Sequence, residues 1–324
     1  MAGQVSYLFQ RGDFPELIVA SAETHGIGNP AIVEKDYYVT EALRLIAKDF
    51  GDVVIFKGGT SLSKGWKLID RCSEDIDLYV APLESPERTL ARFENVADAV
   101  MAFPGFTVRL GRTDKGNASW TEEFTFDGKV EALGGIRPVV LLEAGIQSAD
   151  QPTETVNLTS LLGETLDAQG VDSGTADREP FPMRLLHFRR TFVEKLFTLH
   201  SRVDRAIRQD KELGRDARHY YDLAMLLREE ATKAMLDSPE YKDICRQYRE
   251  LTAKFYLGQV KLLPKGMNLD QSQAIFPDET LKGKLEAAYL REAESLCYGE
   301  FPRFQEVLDG FESNRAKLKV DLDE

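Results

Sequence analysis

Two aspartates, Asp75 and Asp77, flank a single isoleucine in the run Asp75-Ile76-Asp77-Leu78-Tyr79-Val80, where polar and apolar residues alternate. That period of two is the pattern of a strand with one apolar and one acidic face, and an i, i+2 pair on a strand projects both carboxylates to the same side. Adjacent carboxylates repel unless a divalent cation neutralises them, so the pair reads as a metal site for Mg2+, with Mn2+ as the alternative. Upstream, Phe56-Lys57-Gly58-Gly59-Thr60-Ser61-Leu62 lies between the apolar run Val53 to Phe56 and a segment, Ser61 to Leu68, that suits a short helix. Backbone N–H groups and hydroxyls at a helix start stabilise an anion, which makes Gly58, Gly59, Thr60 and Ser61 candidate ligands for nucleotide phosphates. A third acid, Glu143, stands in the apolar run Val139 to Ala144, where an unpaired buried charge is costly and a metal would account for it. Singly, these features read as a turn, a solvated strand edge and an arginine partner. In this order they are the parts of two-metal phosphoryl transfer, in which cations stabilise the attacking and leaving oxygens.

The elements that must position these residues follow from the periodicity. Residues 13 to 49 carry helical apolar spacing with a break at Gly26-Ile27-Gly28-Asn29-Pro30, which predicts two helices. Val53 to Phe56 predicts a buried strand, Asp75 to Val80 the next, and Phe106 to Leu110, Trp120 to Phe126 and Pro138 to Ile146 three more. Together they predict a small mixed sheet. Residues 151 to 180, rich in Thr, Asp, Ser and Gly, read as a connection. Helical spacing over 182–210, 215–232, 238–258, 278–295 and 301–317 makes the remainder a helical lobe. The expected fold class is α+β: a catalytic lobe over 1–150 with N-terminal helices, the connection, and a helical lobe over 181–324.

The 324 residues suffice for one large or two smaller domains, and the composition is that of a folded globular chain. A net charge of −13 repels nucleic acid on average, so a nucleic-acid substrate must meet a local basic face. Residues 184 to 218 supply one, with ten basic against five acidic residues. There Lys195 and Arg202, seven apart, share a helix face and are candidates for the triphosphate. Arg218 and Asp222, at i, i+4, read first as a structural ion pair. His187, His200 and His219 have no metal-ligand spacing, and Tyr220 and Tyr221 are offered either to bases or to the core. Cys72, Cys245 and Cys297 are widely spaced, as reduced thiols in a cytoplasmic protein would be. No leader-like run opens the chain and no stretch of about 20 apolar residues follows, so no membrane partner is expected.

Glu34-Lys35-Asp36-Tyr37-Tyr38, Phe56 to Leu62, Arg71-Cys72-Ser73-Glu74-Asp75-Ile76-Asp77-Leu78, Glu194-Lys195-Leu196, Arg202 and Arg218-His219-Tyr220-Tyr221-Asp222-Leu223 together resemble the AbiEii family of nucleotidyltransferase toxins. The resemblance runs in order from about residue 31 to 227. It implies a DNA polymerase beta-like catalytic lobe joined to a helical lobe, acting as the toxin of a bacterial toxin–antitoxin or phage-defence pair. It further implies transfer of a nucleotide from an NTP to the 3' end of an RNA, the tRNA acceptor stem in some members, with translation blocked. By the resemblance, Asp75 and Asp77 are the catalytic metal pair, Gly59, Thr60 and Ser61 the nucleotide motif, Lys195 the phosphate-binding lysine and Asp222 the acid of the last motif. Arg189, Arg190, Arg205 and Arg208 become candidate RNA contacts. The antitoxin is expected to be repressor-like or a kinase, and in the second case Ser61 is a candidate phosphorylation switch. The last motif departs from the family pattern at His219, where an aspartate is common. Two rival readings share the metal site or dispense with it: transfer to a protein or small-molecule hydroxyl, and non-catalytic nucleotide binding.

Overall fold

The computed structural model describes residues 7–73, 75–114, 119–131, 136–171 and 174–322, with the side chains of 112–114 left aside. The chain divides into two compact units, Met1–Lys67 with Cys72–Leu186, and Leu68–Arg71 with His187–Glu324.

The first unit is built on a seven-stranded mixed sheet in the order β3-β4-β5-β2-β1-β7-β6. Its strands are β1 (Val54–Lys57), β2 (Asp75–Val80), β3 (Phe106–Asp114), β4 (Ser119–Phe126), β5 (Val139–Gly145), β6 (Thr153–Leu158) and β7 (Phe181–Leu186). The pairs β2–β5 and β1–β7 are parallel and the others antiparallel. β2 alternates as its sequence requires, with Ile76, Leu78 and Val80 buried and Asp75, Asp77 and Tyr79 half-buried. β1, an interior strand between β2 and β7, buries Val54, Ile55 and Phe56 in succession because both of its faces are covered.

The helices of this unit are α1 (Phe14–Thr24), α2 (Pro30–Phe50), a short turn α3 (Gly58–Thr60), α4 (Pro86–Met101) and α5 (Leu161–Ala168). α2 starts where Asn29 accepts a hydrogen bond from the Ala31 N–H and Pro30 takes the first helical position, and it packs against β1, β5 and β7. α4 has no counterpart in the sequence reading, although Ser85-Pro86 carries the same start signal and Phe93, Val96, Ala97 and Val100 form its buried stripe. Two other expectations are corrected here. Residues 151–180 hold β6 and α5 and belong to the first unit rather than forming a bare connection. Residues 182–186, expected as the start of a helix, belong to β7: Phe181, Met183 and Leu185 alternate inward, and this short stretch has too few residues to separate a period of two from one of 3.6.

The second unit is helical, with α6 (Phe188–Gln209), α7 (Arg218–Arg228), α8 (Glu230–Leu236), α9 (Pro239–Phe255), α10 (Leu257–Val260), α11 (Glu279–Leu296) and α12 (Phe304–Ser313). α6 buries Phe192, Val193, Leu196, Leu199 and Val203 along one stripe and ends with Asp210 in the left-handed region at φ 46°. The helix expected over 215–232 is divided at Glu229, whose extended backbone separates α7 from α8. Residues 68–71 are fastened to this unit: the Tyr221 hydroxyl accepts from the Asp70 N–H at 2.9 Å, and the Tyr298 N–H donates to the Asp70 carbonyl at 3.0 Å. No helix among the described residues is long and apolar enough to cross a membrane.

Candidate active site

The end of β1 and the start of β2 face each other in register, Lys57 opposite Asp77, and between them the chain turns through Gly58. Gly58 has φ +77°, a conformation that side-chain-bearing residues rarely adopt, and a Cβ there would lie 1.9 Å from Asp77 Oδ2. Only glycine allows the turn to rest against this carboxylate. The Thr60 hydroxyl donates to the Asp75 carbonyl at 2.5 Å and lies 2.8 Å from Ser73 Oγ, which stitches the turn to the acidic strand. The Ser61 hydroxyl donates to the Gly58 carbonyl at 2.9 Å and closes the turn on itself. α3 continues without a break into a π turn, Ser61–Gly65, closed by the Trp66 N–H on the Ser61 carbonyl at 3.0 Å.

Thr60 and Ser61 differ here from the sequence reading. Both are buried with their hydroxyls engaged by the backbone, so what the turn offers an anion is the first-turn N–H groups of Gly58, Gly59 and Thr60, which a helix start leaves without intrahelical acceptors. Ser61, fully buried, presents no hydroxyl to a modifying kinase in this conformation. Ser73, which the sequence reading quoted without a role, is brought to this site by its contact with Thr60.

Asp75 and Asp77 share the half-buried face of β2. Glu143 lies directly opposite Asp77 in the parallel ladder, and paired residues project to the same face. The burial argument for Glu143 fails, however: β5 alternates, and Glu143 takes an exposed position. Among the described residues no three His, Cys, Asp or Glu side chains are gathered closely enough to hold a metal. The donor set fits Mg2+ in a narrower sense. That ion binds through one or two carboxylates and completes its shell with water and substrate phosphates, which two adjacent hard-oxygen ligands at Asp75 and Asp77 satisfy without a third.

The candidates of the second unit are differently placed. Asp222 is fully buried, and Arg71 grips it with two hydrogen bonds, Nε to Oδ1 at 2.6 Å and Nη2 to Oδ2 at 2.7 Å. Lys195 Nζ lies 2.8 Å from Asp222 Oδ2 and 3.4 Å from His219 Nδ1. Burial pushes the Asp222 carboxyl up, but the charges of Arg71 and Lys195 outweigh it and hold the group below the usual carboxylate range. His219 is driven well below its ordinary value, first by burial and then by the Lys195 charge, so it stands neutral in the cluster. Lys195, expected as a cation for the triphosphate, is the partner of an acid, and Asp222 pairs with Arg71 and Lys195 instead of the expected Arg218.

The basic face is also thinner than the sequence implies. Arg190 is fully buried, with Nη1 on Gln247 Oε1 at 2.6 Å and Nε 3.2 Å from Glu194, so it is no surface contact for RNA. Arg189 is half-buried against Glu240, Arg202 lies 3.4 Å from Asp216, and Arg208 pairs with Asp204 at 2.8 Å. Arg205 is half-buried on the same helix. Tyr220 and Tyr221 are both buried; Tyr220 donates to the Ala274 carbonyl at 2.5 Å, and neither is presented to a base. His187 caps α6, accepting from the Arg189 N–H at 3.3 Å, and His200 Nδ1 meets Ser272 Oγ at 2.7 Å.

Comparison with known proteins adds the following. A family model described as nucleotidyl transferase AbiEii toxin, type IV TA system, matches residues 42–310. Among solved structures, the chain is similar to MenT4, a nucleotidyltransferase toxin from Mycobacterium tuberculosis H37Rv, at 15% identity and a TM-score of 0.49, over 94% of this chain and 99% of that one. No curated protein matches the chain.

Proposed function

This chain belongs to the AbiEii family of nucleotidyltransferase toxins of type IV toxin–antitoxin systems, hence has an antitoxin as partner, and we propose that it transfers a nucleoside monophosphate from an NTP to an RNA 3'-hydroxyl. The acceptor end of tRNA is the target in this reading, and arrested translation the outcome.

The observation that carries it is the approach of the Gly58 turn to the Asp77 carboxylate, with Thr60 tied to the Asp75 carbonyl. A phosphate-binding turn and a pair of metal ligands are thereby held within one hydrogen bond of each other. In this proposal Asp75 and Asp77 hold Mg2+, or Mn2+ in its place. When bound, the cation would acidify the attacking hydroxyl and neutralise charge on the phosphates. The N–H groups at Gly58, Gly59 and Thr60 receive the pyrophosphate end of the nucleotide. Glu143, opposite Asp77 in the ladder and exposed, would add a further carboxylate beside the pair. Asp222 and Lys195 contribute within the second unit, where Lys195 and Arg71 close a buried clasp around Asp222, rather than as ligands.

Incubation with each labelled NTP and total RNA tests the reading. Transfer of label to RNA is expected for the wild type, and its loss on chelation or in Asp75→Ala and Asp77→Ala; transfer that survives both substitutions ends the proposal.

A second acceptor class, a protein or small-molecule hydroxyl, is favoured by the pairing of Arg189, Arg202 and Arg208 with acids and by the burial of Arg190. Neutralising Arg202, Arg205 and Arg208 together separates the two. An RNA acceptor predicts weaker transfer with a shallower salt dependence, because fewer counterions are released. Unchanged transfer and salt slope point to the small or protein acceptor.

A further inference from the structure

The motif Glu34-Lys35-Asp36-Tyr37-Tyr38 lies on α2, outside the turn and the acidic pair. Asp36 Oδ1 lies 2.6 Å from Lys64 Nζ, and Lys64 sits in the π turn that continues the phosphate turn. The ammonium also donates to Thr40 Oγ1 at 2.6 Å and to the Thr159 carbonyl at 3.2 Å. Its three protons thus have three acceptors, all inside the first unit, and its side chain is 4% exposed. Asp36 Oδ2 accepts from the Leu161 N–H at 2.8 Å, so this carboxylate is fixed at both oxygens.

The next two residues are fastened as well. A Cβ on Gly65 would lie 2.2 Å from Leu185 Cδ2, and Trp66 Nε1 donates to the Leu186 carbonyl at 3.2 Å. Lys67 then leaves the turn in the left-handed region at φ 54°, unusual for a residue with a side chain. A π turn is a rare backbone state that persists where its surroundings hold it. Here the surroundings are the Asp36–Lys64–Thr40 cluster on one side and β7 on the other. A buried ammonium held by a carboxylate is a poor source of net stability, since desolvation offsets most of the attraction. What such a pair does well is fix position.

We infer that Asp36 and Lys64, with Thr40, are positioning residues for nucleotide binding: they hold the π turn so that the N–H groups of Gly58, Gly59 and Thr60 converge on the NTP phosphates. The inference rests on the phosphate-binding role proposed above for that turn. Neither residue touches the nucleotide. Their effect is therefore on NTP affinity, while the reacting groups on β2 stay in place.

The test measures binding of Mg2+ and non-hydrolysable NTP analogues to the full chain, alongside steady-state transfer and thermal unfolding. Lys64→Met and Asp36→Asn should each weaken binding and raise the NTP KM about tenfold, equivalent to ~1.4 kcal/mol, with kcat at saturating NTP changed much less. The double variant should be no worse than the weaker-binding single. Thr40→Val, which removes the hydrogen bond accepted from Lys64 and the one donated to the Asp36 carbonyl but leaves the ion pair, should give a smaller shift in the same direction and serves if the charged variants fail to fold. Asp177→Asn is the control. Asp177 accepts from the Tyr37 hydroxyl and the Leu8 N–H away from the turn, so this variant should lower the unfolding temperature and leave NTP affinity unchanged. Wild-type affinity in the Lys64, Asp36 and Thr40 variants overturns the inference, as does an equal loss in Asp177→Asn. A wild-type chain that binds no NTP overturns the functional reading itself, and this inference with it.

Discussion

Asp77 and Asp222 are the same residue in opposite circumstances. Asp77 is half-buried on an acidic strand face, its carboxylate resting where a Cβ on Gly58 would lie, and no ion pair to it is formed among the described residues. Asp222 is fully buried in the second unit, with both oxygens taken by Arg71 and Lys195. An acid whose charge is cancelled by the protein is complete without a ligand. An acid set beside another acid, with no basic side chain paired to it, gains from a cation supplied from outside. By that criterion the chemistry proposed above belongs to the first unit, and Asp222 is the centre of a buried clasp in the second.

Substitution at the two positions breaks or supports this contrast most directly. Asp77→Ala should reduce nucleotide transfer by at least about a thousandfold, the scale seen when a principal electrostatic contributor is removed, with the unfolding temperature unchanged or higher. Asp222→Ala should do the reverse first: leaving Arg71 and Lys195 buried without their acid costs about 3–5 kcal/mol. Hydrogen exchange in peptides of α6 and α7 would report it. An Asp222→Ala chain with wild-type protection and no transfer would place Asp222 with the reacting groups and dissolve the comparison.

Gly58 sharpens the same contrast at smaller magnitude. Gly58→Ala forces a Cβ into the space of Asp77 Oδ2 and a side chain onto φ +77°. The backbone penalty alone is about 1–3 kcal/mol, and displacement of the carboxylate should lower transfer by roughly a hundredfold, the scale of an ångström's misplacement. Gly283→Ala, inside α11 where a Cβ meets nothing within 4 Å, is the control and should leave transfer unchanged while stabilising the helix by up to about 1 kcal/mol.

What the sequence revealed of this site was the part written in alternation and local order. The i, i+2 spacing of Asp75 and Asp77 and the glycine turn before them needed only strand periodicity, and β2 alternates as that periodicity requires. Glu143 was found on its strand but with the wrong environment, because an apolar run does not say which of its residues faces outward; the ladder does. Lys195 read as a cation for the triphosphate because its partner lies 27 residues further on in another helix, and Arg71 was invisible as that acid's second partner for the same reason. Asp36 and Lys64 fall in the same class. Long-range ion pairs leave no periodic trace, and they are what separates a free charge from a clasped one.

The two units should also answer pH in opposite directions, for the same underlying reason of burial. In the first unit, burial pushes the Glu41 carboxyl up to about 7 from 4.5, with Arg44 opposing the shift. Between those values the folded chain keeps a proton that the unfolded chain has released, so the stability from this group is complete below about pH 4.5 and is lost as pH rises through 7. In the second unit, burial and then the Arg189 charge lower His187 from 6.5 to about 4. There the unfolded chain binds the extra proton, so the contribution is complete above pH 6.5 and is lost as pH falls towards 4. Hydrogen exchange corrected for intrinsic rates, at pH 5 and pH 8, should show α2 less protected at the higher pH and the start of α6 less protected at the lower. Glu41→Gln should remove the first trend, an effect on the order of 2 kcal/mol, and His187→Asn the smaller second one. Parallel responses in the two units would mean that other groups govern the pH dependence and that burial at these positions does not set it.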